Sequence, residues 1–272
     1  MKKWLSCKLA FALAAIVMMS LGCGMLMLLT GCGSDESVSL SQSTEPSLPN
    51  YFPDAIGSRW IYSGPHGKQW VREVTHERTI GENVYRVFTY TPSIEDATFD
   101  LLRISHYRVT QNRVLTFVEE DIDRYVKAKV PEFRVQGAFE GIELEVQVNS
   151  ISERELVFYR IPPTPNVRWD VLDVKVEGNV VLQGLGLLQL AFEMHLRIKG
   201  TVVGLPKTVQ TPAGTFENTY KIEYQSGYTL SILDKEETTP EVTDTVWLAP
   251  HVGIVRFENA GGVTELVDYT LP

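Results

Sequence analysis

Cysteine is scarce in this sequence and is confined to its first 32 residues. The chain of 272 residues has three cysteines, Cys7, Cys23 and Cys32. Residues 33–272 therefore contain none, so a domain formed there has no internal disulfide bond and depends on its hydrophobic core. A chain of this length has enough apolar surface to bury in one or two domains.

Positive charge is also in short supply. Lys and Arg total 25 against 34 Asp and Glu, a formal net charge of −9. Without Lys2, Lys3 and Lys8 the balance is 22 against 34. Binding to nucleic acid requires clustered basic side chains, so nucleic acid is excluded as a partner. Adhesion to anionic lipid through surface charge is disfavoured for the same reason.

Sequence signatures of catalysis are absent. The chain has no nucleophile elbow, phosphate-binding loop or dinucleotide fingerprint. Its five histidines show no metal-ligand spacing on a single element; they are His66, His76, His106, His195 and His251. We therefore predict no catalytic residue, no metal site and no cofactor, and an enzyme is disfavoured.

The one long apolar run lies at the N-terminus. Three lysines precede an uncharged stretch from Leu9 to Leu29, which is the order of a secretory signal. A run of about 20 apolar residues also spans a bilayer, so an uncleaved membrane anchor is the alternative. The cleavable signal is favoured because Leu29-Thr30-Gly31-Cys32 ends the run and a polar sequence follows at once.

These four residues resemble the lipobox of bacterial lipoproteins, and the resemblance covers residues 1–32. It implies that diacylglycerol is attached to Cys32 and that residues 1–31 are removed as a signal peptide. Cys23 is a weaker candidate, because Ser20 stands where the lipobox has Leu. Two or more acyl chains hold a protein firmly to a membrane. Gly33, where Asp would signal inner-membrane retention, implies the outer membrane in a diderm bacterium, or otherwise the outer face of the plasma membrane.

Residues 32–49 are predicted to be a disordered tether. From Gly33 to Pro49 the sequence is GSDESVSLSQSTEPSLP. A segment with so little hydrophobicity and so much Ser, Glu and Pro cannot form a core. A flexible segment of this length has a root-mean-square reach of roughly 20–25 Å. The third predicted unit, residues 50–272, would therefore stand away from the membrane.

Alternation of apolar and polar side chains dominates residues 50–272. A helix would scatter Leu188, Phe192 and Leu196 around its surface, whereas a strand places them on one face. We therefore predict an all-β fold with a strongly curved, mainly antiparallel sheet, arranged as a half-barrel, barrel or sandwich, with Met194 on its inner side. No helix is predicted after Pro49. The alternating segments are Ile142–Val148, Leu172–Val176, Leu188–Ile198 and Tyr220–Leu230.

The densest acidic group is Glu119-Glu120-Asp121-Ile122-Asp123. It follows a predicted strand, Val114 to Val118, and is predicted to be a solvated hairpin tip. Calcium binding is the alternative, because this ion takes several carboxylate oxygens. The spacing and the glycine of an EF-hand loop are missing, which favours the hairpin tip.

Two short segments have matching residues at equal spacing. Pro53 is followed by Arg59 and Trp60 as Pro162 is followed by Arg168 and Trp169. The match predicts either a duplicated β-unit, with a boundary near residue 160, or two unrelated strand entrances.

The segments VQTPAGTF (209–216) and WLAPHVGIV (247–255), with Tyr51-Phe52-Pro53, resemble motifs of uncharacterised bacterial envelope proteins. That family has no established activity, so the resemblance implies only fold and location. Pro212 and Gly214 predict a tight turn, and Pro250 is expected to end a strand. His251 stands where the family has Gly, which is unfavourable if that position needs positive φ.

Two classes of function fit these observations. The first is a membrane-anchored envelope lipoprotein whose non-catalytic β-domain binds or scaffolds an envelope protein, glycan or lipid. The alternative is a carrier or sensor of an apolar ligand, such as a lipid, on a concave sheet. A roomy apolar pocket would favour the carrier, and a filled core with an exposed patch would favour the scaffold.

Overall fold

One antiparallel sheet accounts for nearly all regular structure in the computed structural model, which describes residues 49–93, 103–132, 144–182 and 188–272. Residues 1–48 lie outside the described residues. They contain the predicted signal peptide, the lipobox and all but the last residue of the predicted tether. The strands are β1 (Arg59–Ser63), β2 (Gln69–Ile80), β3 (Asn83–Thr91), β4 (His106–Val109), β5 (Arg113–Phe117), β6 (Leu144–Ile151), β7 (Glu155–Arg160), β8 (Arg168–Leu182), β9 (Leu188–Thr211), β10 (Gly214–Ile232), β11 (Lys235–Thr238), β12 (Val242–Ala249), β13 (Gly253–Asn259) and β14 (Gly262–Thr270). One α-helix, α1 (Glu119–Lys129), joins the strands in the described part of the chain, with short 3-10 turns at Pro65–Gly67 and Val130–Glu132.

The strands form a single path in the order β6-β8-β9-β10-β12-β13-β14-β1-β2-β3-β4-β5-β7, and β11 pairs with the end of β10. Every described ladder is antiparallel. In the described residues β6 and β7 are the two ends of the path and do not pair with each other. The predicted all-β, curved antiparallel sheet is therefore confirmed, as one continuous open sheet.

The longest strand carries the clearest alternation in the sequence. Phe192, Met194 and Leu196 of β9 are 0–5% exposed, and the polar residues between them lie on the other face. The inner side predicted for these residues is confirmed. Leu188 departs from the pattern, because it is 47% exposed. It is the first residue of the strand.

The acidic run is not a hairpin tip, and the prediction of no helix was wrong. Glu119, Glu120 and Asp121 form the first turn of α1, where carboxylates are stabilised by the helix dipole. Apolar side chains four residues apart, at Ile122 and Val126, are fully buried. Val118, the N-cap residue of this helix, makes no side-chain capping hydrogen bond, so the usual start signal was missing from the sequence.

The two motif turns occupy the predicted positions. β9 and β10 are joined through Pro212 and Ala213, and Phe216 enters the core at 8% exposure. Pro250 follows the end of β12, and His251 has a φ of 62°. The position does need positive φ, which a non-glycine residue adopts at some cost in energy. The backbone N–H of His251 donates to the carbonyl of Asn50, at 2.6 Å.

An arginine lies at the centre of the aromatic core. Arg72 is 3% exposed, and its guanidinium carbon is 4.3 Å from the ring centroid of Phe88 and 5.3 Å from that of Phe52. The ring centroids of Trp60 and Tyr107 lie 5.4 and 5.3 Å from the same guanidinium carbon. Within the described residues no carboxylate forms a salt bridge with it, so ring faces compensate for part of the lost hydration. The core between these strands is therefore filled.

Candidate functional site

A pocket of about 330 Å³ lies on the inner face of β8, β9 and β10, on the side covered by α1. Its volume is at the lower end of the range for small-molecule sites. It is also roughly twice the volume of an engineered apolar cavity that holds benzene. The lining residues are Tyr125, Lys129, Leu172, Leu196, Arg197, Ile198, Ser226, Gly227, Tyr228, Thr239, Pro240, Val242 and Asp244.

The floor of the pocket is aliphatic. Leu172 of β8 lies directly opposite Ile198 of β9 in the ladder, and Leu196 is the next inward-facing residue of β9. The three side chains are 2–5% exposed. Period-two alternation places them on the inner face because successive side chains of a strand point to opposite faces.

Two tyrosines form the wall. Tyr125 of α1 meets Tyr228 of β10 edge to face, with ring centroids 6.2 Å apart and an interplanar angle of 82°. Burial raises the pKa of both hydroxyls above the ordinary tyrosine value. Both groups therefore stay protonated at neutral pH.

The mouth lies where the sheet changes partners. β10 pairs with β12 as far as Ser226 and with β11 from Thr229 onward. At this junction the hydroxyl of Thr239 accepts a hydrogen bond from the N–H of Tyr228, at 3.0 Å. The connecting segment from Thr239 to Val242 therefore forms the rim, and Val242 is 46% exposed.

Three charged residues, Lys129, Arg197 and Asp244, also line the pocket. Lys129 donates to the carboxylate of Glu132, at 2.8 Å. Asp244 of β12 lies opposite Tyr224 of β10 in the ladder. An apolar floor with polar groups at one side suits a small ligand that has an apolar body. Tyr125 and Lys129 were missed by the sequence analysis because α1 was missed. The spacing of Ile122, Val126 and Val130 was the signal that could have revealed it.

The predicted lipid site, Cys32, and the lipobox residues Leu29, Thr30 and Gly31 lie outside the described residues. Lipid attachment and the lipobox therefore remain predictions.

The histidines are scattered. His195 contacts Asp173 on the outer face, and His106 is 7% exposed. Burial lowers the pKa of His106, and the neighbouring Arg78 adds to the effect. In the part of the chain that the structure describes, no three His, Cys, Asp or Glu side chains form a group able to hold a metal ion.

The acidic side chains of α1 are paired with cations. Asp121 contacts Arg124 at 2.5 Å, and Asp123 contacts Lys127 at 2.8 Å. Burial raises the pKa of Asp121 to about 6, although Arg124 opposes the shift. The run therefore lies in the first turns of a helix, and the absence of calcium there remains a prediction.

Across residues 49–93, 103–132, 144–182 and 188–272, no helix has both the length and the apolar character needed to cross a membrane. This observation concerns only those ranges and leaves the N-terminal apolar run untested.

No protein-family model and no curated protein matches the chain. Two solved structures resemble it. One is a Bacteroides fragilis protein described as exported and as having a YmcC-like fold, with 15% identity over 82% of this chain and 99% of that chain, at a TM-score of 0.38. The other is a Parabacteroides distasonis protein described as a lipoprotein, with 15% identity over 83% of this chain and 100% of that chain, also at 0.38. Likeness at this level gives no information on what the chain binds.

Proposed function

We propose that the protein is a lipid-anchored lipoprotein of the cell envelope whose non-catalytic β-domain binds a small ligand with an apolar body. The anchor is Cys32, supported by the lipobox Leu29-Thr30-Gly31-Cys32 at the end of an uncharged apolar run. The location is the outer membrane of a diderm bacterium, or otherwise the outer face of the plasma membrane. Attachment to the membrane and binding of the ligand are separate parts of this proposal.

The observation that supports ligand binding is the composition of the pocket beneath α1. Leu172, Leu196 and Ile198 bring buried aliphatic surface to one side of a space of about 330 Å³. Transfer of apolar ligand surface onto such a floor is favourable by roughly 25 cal/mol per Å². The size of the pocket favours one short chain or one ring system over a long lipid held along the whole sheet.

Binding is tested with the uncharged dye N-phenyl-1-naphthylamine, whose fluorescence rises in apolar surroundings. The unit from Pro46 to Pro272 is compact and contains the whole described core, so it is a suitable protein for this measurement. We expect saturable binding of one dye per chain. Ser226→Phe, which places a ring in the pocket, should abolish it.

The matched control is Gln225→Phe. Gln225 is the preceding residue of β10 and is exposed on the opposite face, so its replacement adds the same ring outside the pocket. Dye binding that survives Ser226→Phe, or that Gln225→Phe abolishes equally, would place the dye elsewhere. Absence of saturable binding by the parent protein would count against the pocket as an apolar site.

A further inference from the structure

A second cleft lies on the outer face of the sheet, apart from the pocket beneath α1. The hairpin of β9 and β10 reaches across to β14, where the N–H of Ala213 donates to the carbonyl of Leu266 at 3.1 Å. Phe216 packs against Tyr269 at the same place, with ring centroids 6.2 Å apart. The space between this hairpin and the sheet has a volume of about 540 Å³. It is lined by Lys207, Thr208, Val209, Gln210, Trp247 and Arg256.

The sheet register builds the floor of this cleft. Trp247 of β12 lies between Lys221 of β10 and Arg256 of β13 in one row across three strands. The guanidinium carbon of Arg256 is 5.0 Å from the indole centroid, and the ammonium of Lys221 is 5.9 Å from it. These cation–π contacts hold Arg256 against the indole. Lys221 is also held by Glu223, to whose carboxylate its ammonium donates at 2.6 Å.

The guanidinium of Arg256 is not saturated by its neighbours. The carboxylates of Glu265 and Glu258 lie 3.5 and 3.9 Å away, at or beyond the limit of a good hydrogen bond. Its Nε is enclosed and has no hydrogen-bond partner among the described residues. A guanidinium has five N–H donors in a fixed fork. Because Nε is enclosed, the donors left for a ligand are the four on the two terminal nitrogens.

The hairpin contributes a second cation on the other side of the cleft. Lys207 is exposed on β9, and in the described ranges no carboxylate forms a salt bridge with it. Thr208 and Gln210 add an uncharged hydroxyl and an amide beside it. Lys207 of the hairpin and Arg256 of the sheet line one cleft together with neutral donors, and such a lining is suited to a phosphate or a carboxylate.

We propose that this cleft binds an anionic group, a phosphate or a carboxylate, carried by a small ligand. Arg256 supplies the oriented fork, Lys207 supplies a point charge from the hairpin, and Trp247 holds Arg256 in place. The proposal does not depend on the pocket beneath α1 or on lipid attachment, because no lining residue is shared.

Equilibrium dialysis of the full-length chain in a non-ionic detergent at low ionic strength tests the proposal, with radiolabelled inorganic phosphate and radiolabelled acetate as probes. We expect saturable binding of at least one of the two probes. Sodium chloride, added to the same ionic strength as the probe, should not abolish this binding. Arg256→Gln and Lys207→Gln should each weaken it about tenfold or more, since a hydrogen bond to a charged group contributes about 1.5–3 kcal/mol. Tighter binding of phosphate or of acetate identifies the source of the anion.

Lys199→Gln is the matched control. Lys199 is an exposed cation on the same strand, β9, outside this cleft, and its loss changes the net charge equally. If Lys199→Gln weakens binding as much as Lys207→Gln does, only the overall charge of the protein matters and the proposal is wrong. It is equally wrong if neither probe binds, or if both cleft variants bind as the parent does while keeping its melting temperature.

Discussion

The ring of Phe158 lies parallel to that of Tyr224, with centroids 5.9 Å apart and an interplanar angle of 4°. The tyrosine hydroxyl also donates to the carbonyl of Phe158, at 3.3 Å. Phe158 belongs to β7, one end of the sheet, whereas Tyr224 belongs to β10, the fourth strand from the other end. Two strands so far apart in strand order are brought into contact only if the sheet curls strongly on itself.

Phe158→Ala should therefore destabilise the protein by about 3–5 kcal/mol, the usual cost of removing a buried phenylalanine ring. Tyr224→Phe keeps the ring and loses only one hydrogen bond, so it should cost about 1 kcal/mol. Urea unfolding of both variants measures the difference. Similar losses for the two would mean that the stacked rings are not a main contact between the sheet end and β10.

The register of β9 determines which of two adjacent residues is buried. Met194 is fully buried, whereas His195 lies on the outer face beside Asp173. Met194→Asp should cost several kcal/mol in the free energy of unfolding, because a buried carboxylate without a partner is heavily penalised. His195→Gln should change it little. The reverse order in denaturant melts would show that the register of β9 is wrong.

Asp121 should make the protein less stable as pH rises. Burial raises its pKa from 3.8 to about 6, so between these values the folded state binds more protons than the unfolded state. Stability is therefore greatest below about pH 4 for this group and is lost as pH rises through 6. Asp121→Asn should remove that loss and gain about 1–3 kcal/mol at pH 7 relative to the parent.

Urea unfolding between pH 4 and pH 8 measures this dependence. Glu120→Gln is the matched control, because Glu120 lies beside Asp121 in the same helix turn but is exposed. Its charge is the smallest contribution to the raised pKa of Asp121, so most of the pH dependence should remain in this variant. An Asp121→Asn variant that follows the pH profile of the parent would show that the carboxyl group is not buried as described.

Cys32→Ser should abolish acylation and leave the unprocessed precursor, because only a thiol forms the thioether to diacylglycerol. Metabolic labelling with a radioactive fatty acid, together with the mass of the N-terminus, checks both outcomes. Cys23→Ser is the control and should be processed normally. A Cys32→Ser protein that still carries acyl chains and is cut after Gly31 would overturn the assignment.

The alternation along β9 and β10 was enough to predict the fold class, because one period of two allows only one buried face. Met194, for example, was assigned to the inner face, where it is fully buried. The sequence did not predict α1, since Val118 offers no cap and carboxylates in a first turn look the same as those of a loop. The helix instead depends on burial of Ile122 and Val126, which is a tertiary effect.

The pockets could not be predicted from the sequence for a related reason. Tyr125 and Tyr228 are 103 positions apart and meet only when α1 settles on β10. The row from Lys221 through Trp247 to Arg256 likewise exists only once three strands are in register. The sequence shows that each of these residues is present. Which of them come into contact depends on the order of the strands in the sheet.

The entrance of the chain into the domain has a mechanical consequence. Tyr51 and Phe52 are 5% and 2% exposed, and the carbonyl of Tyr51 accepts a hydrogen bond from the hydroxyl of Tyr159, at 3.2 Å. One residue earlier, the carbonyl of Asn50 accepts a hydrogen bond from the backbone N–H of His251. Tension transmitted through residues before Asn50 must extract two rings from the core and break links to β7 and to the turn after β12. Only then does it reach Arg59, so β1 is shielded from being peeled off the sheet by a force on the N-terminus.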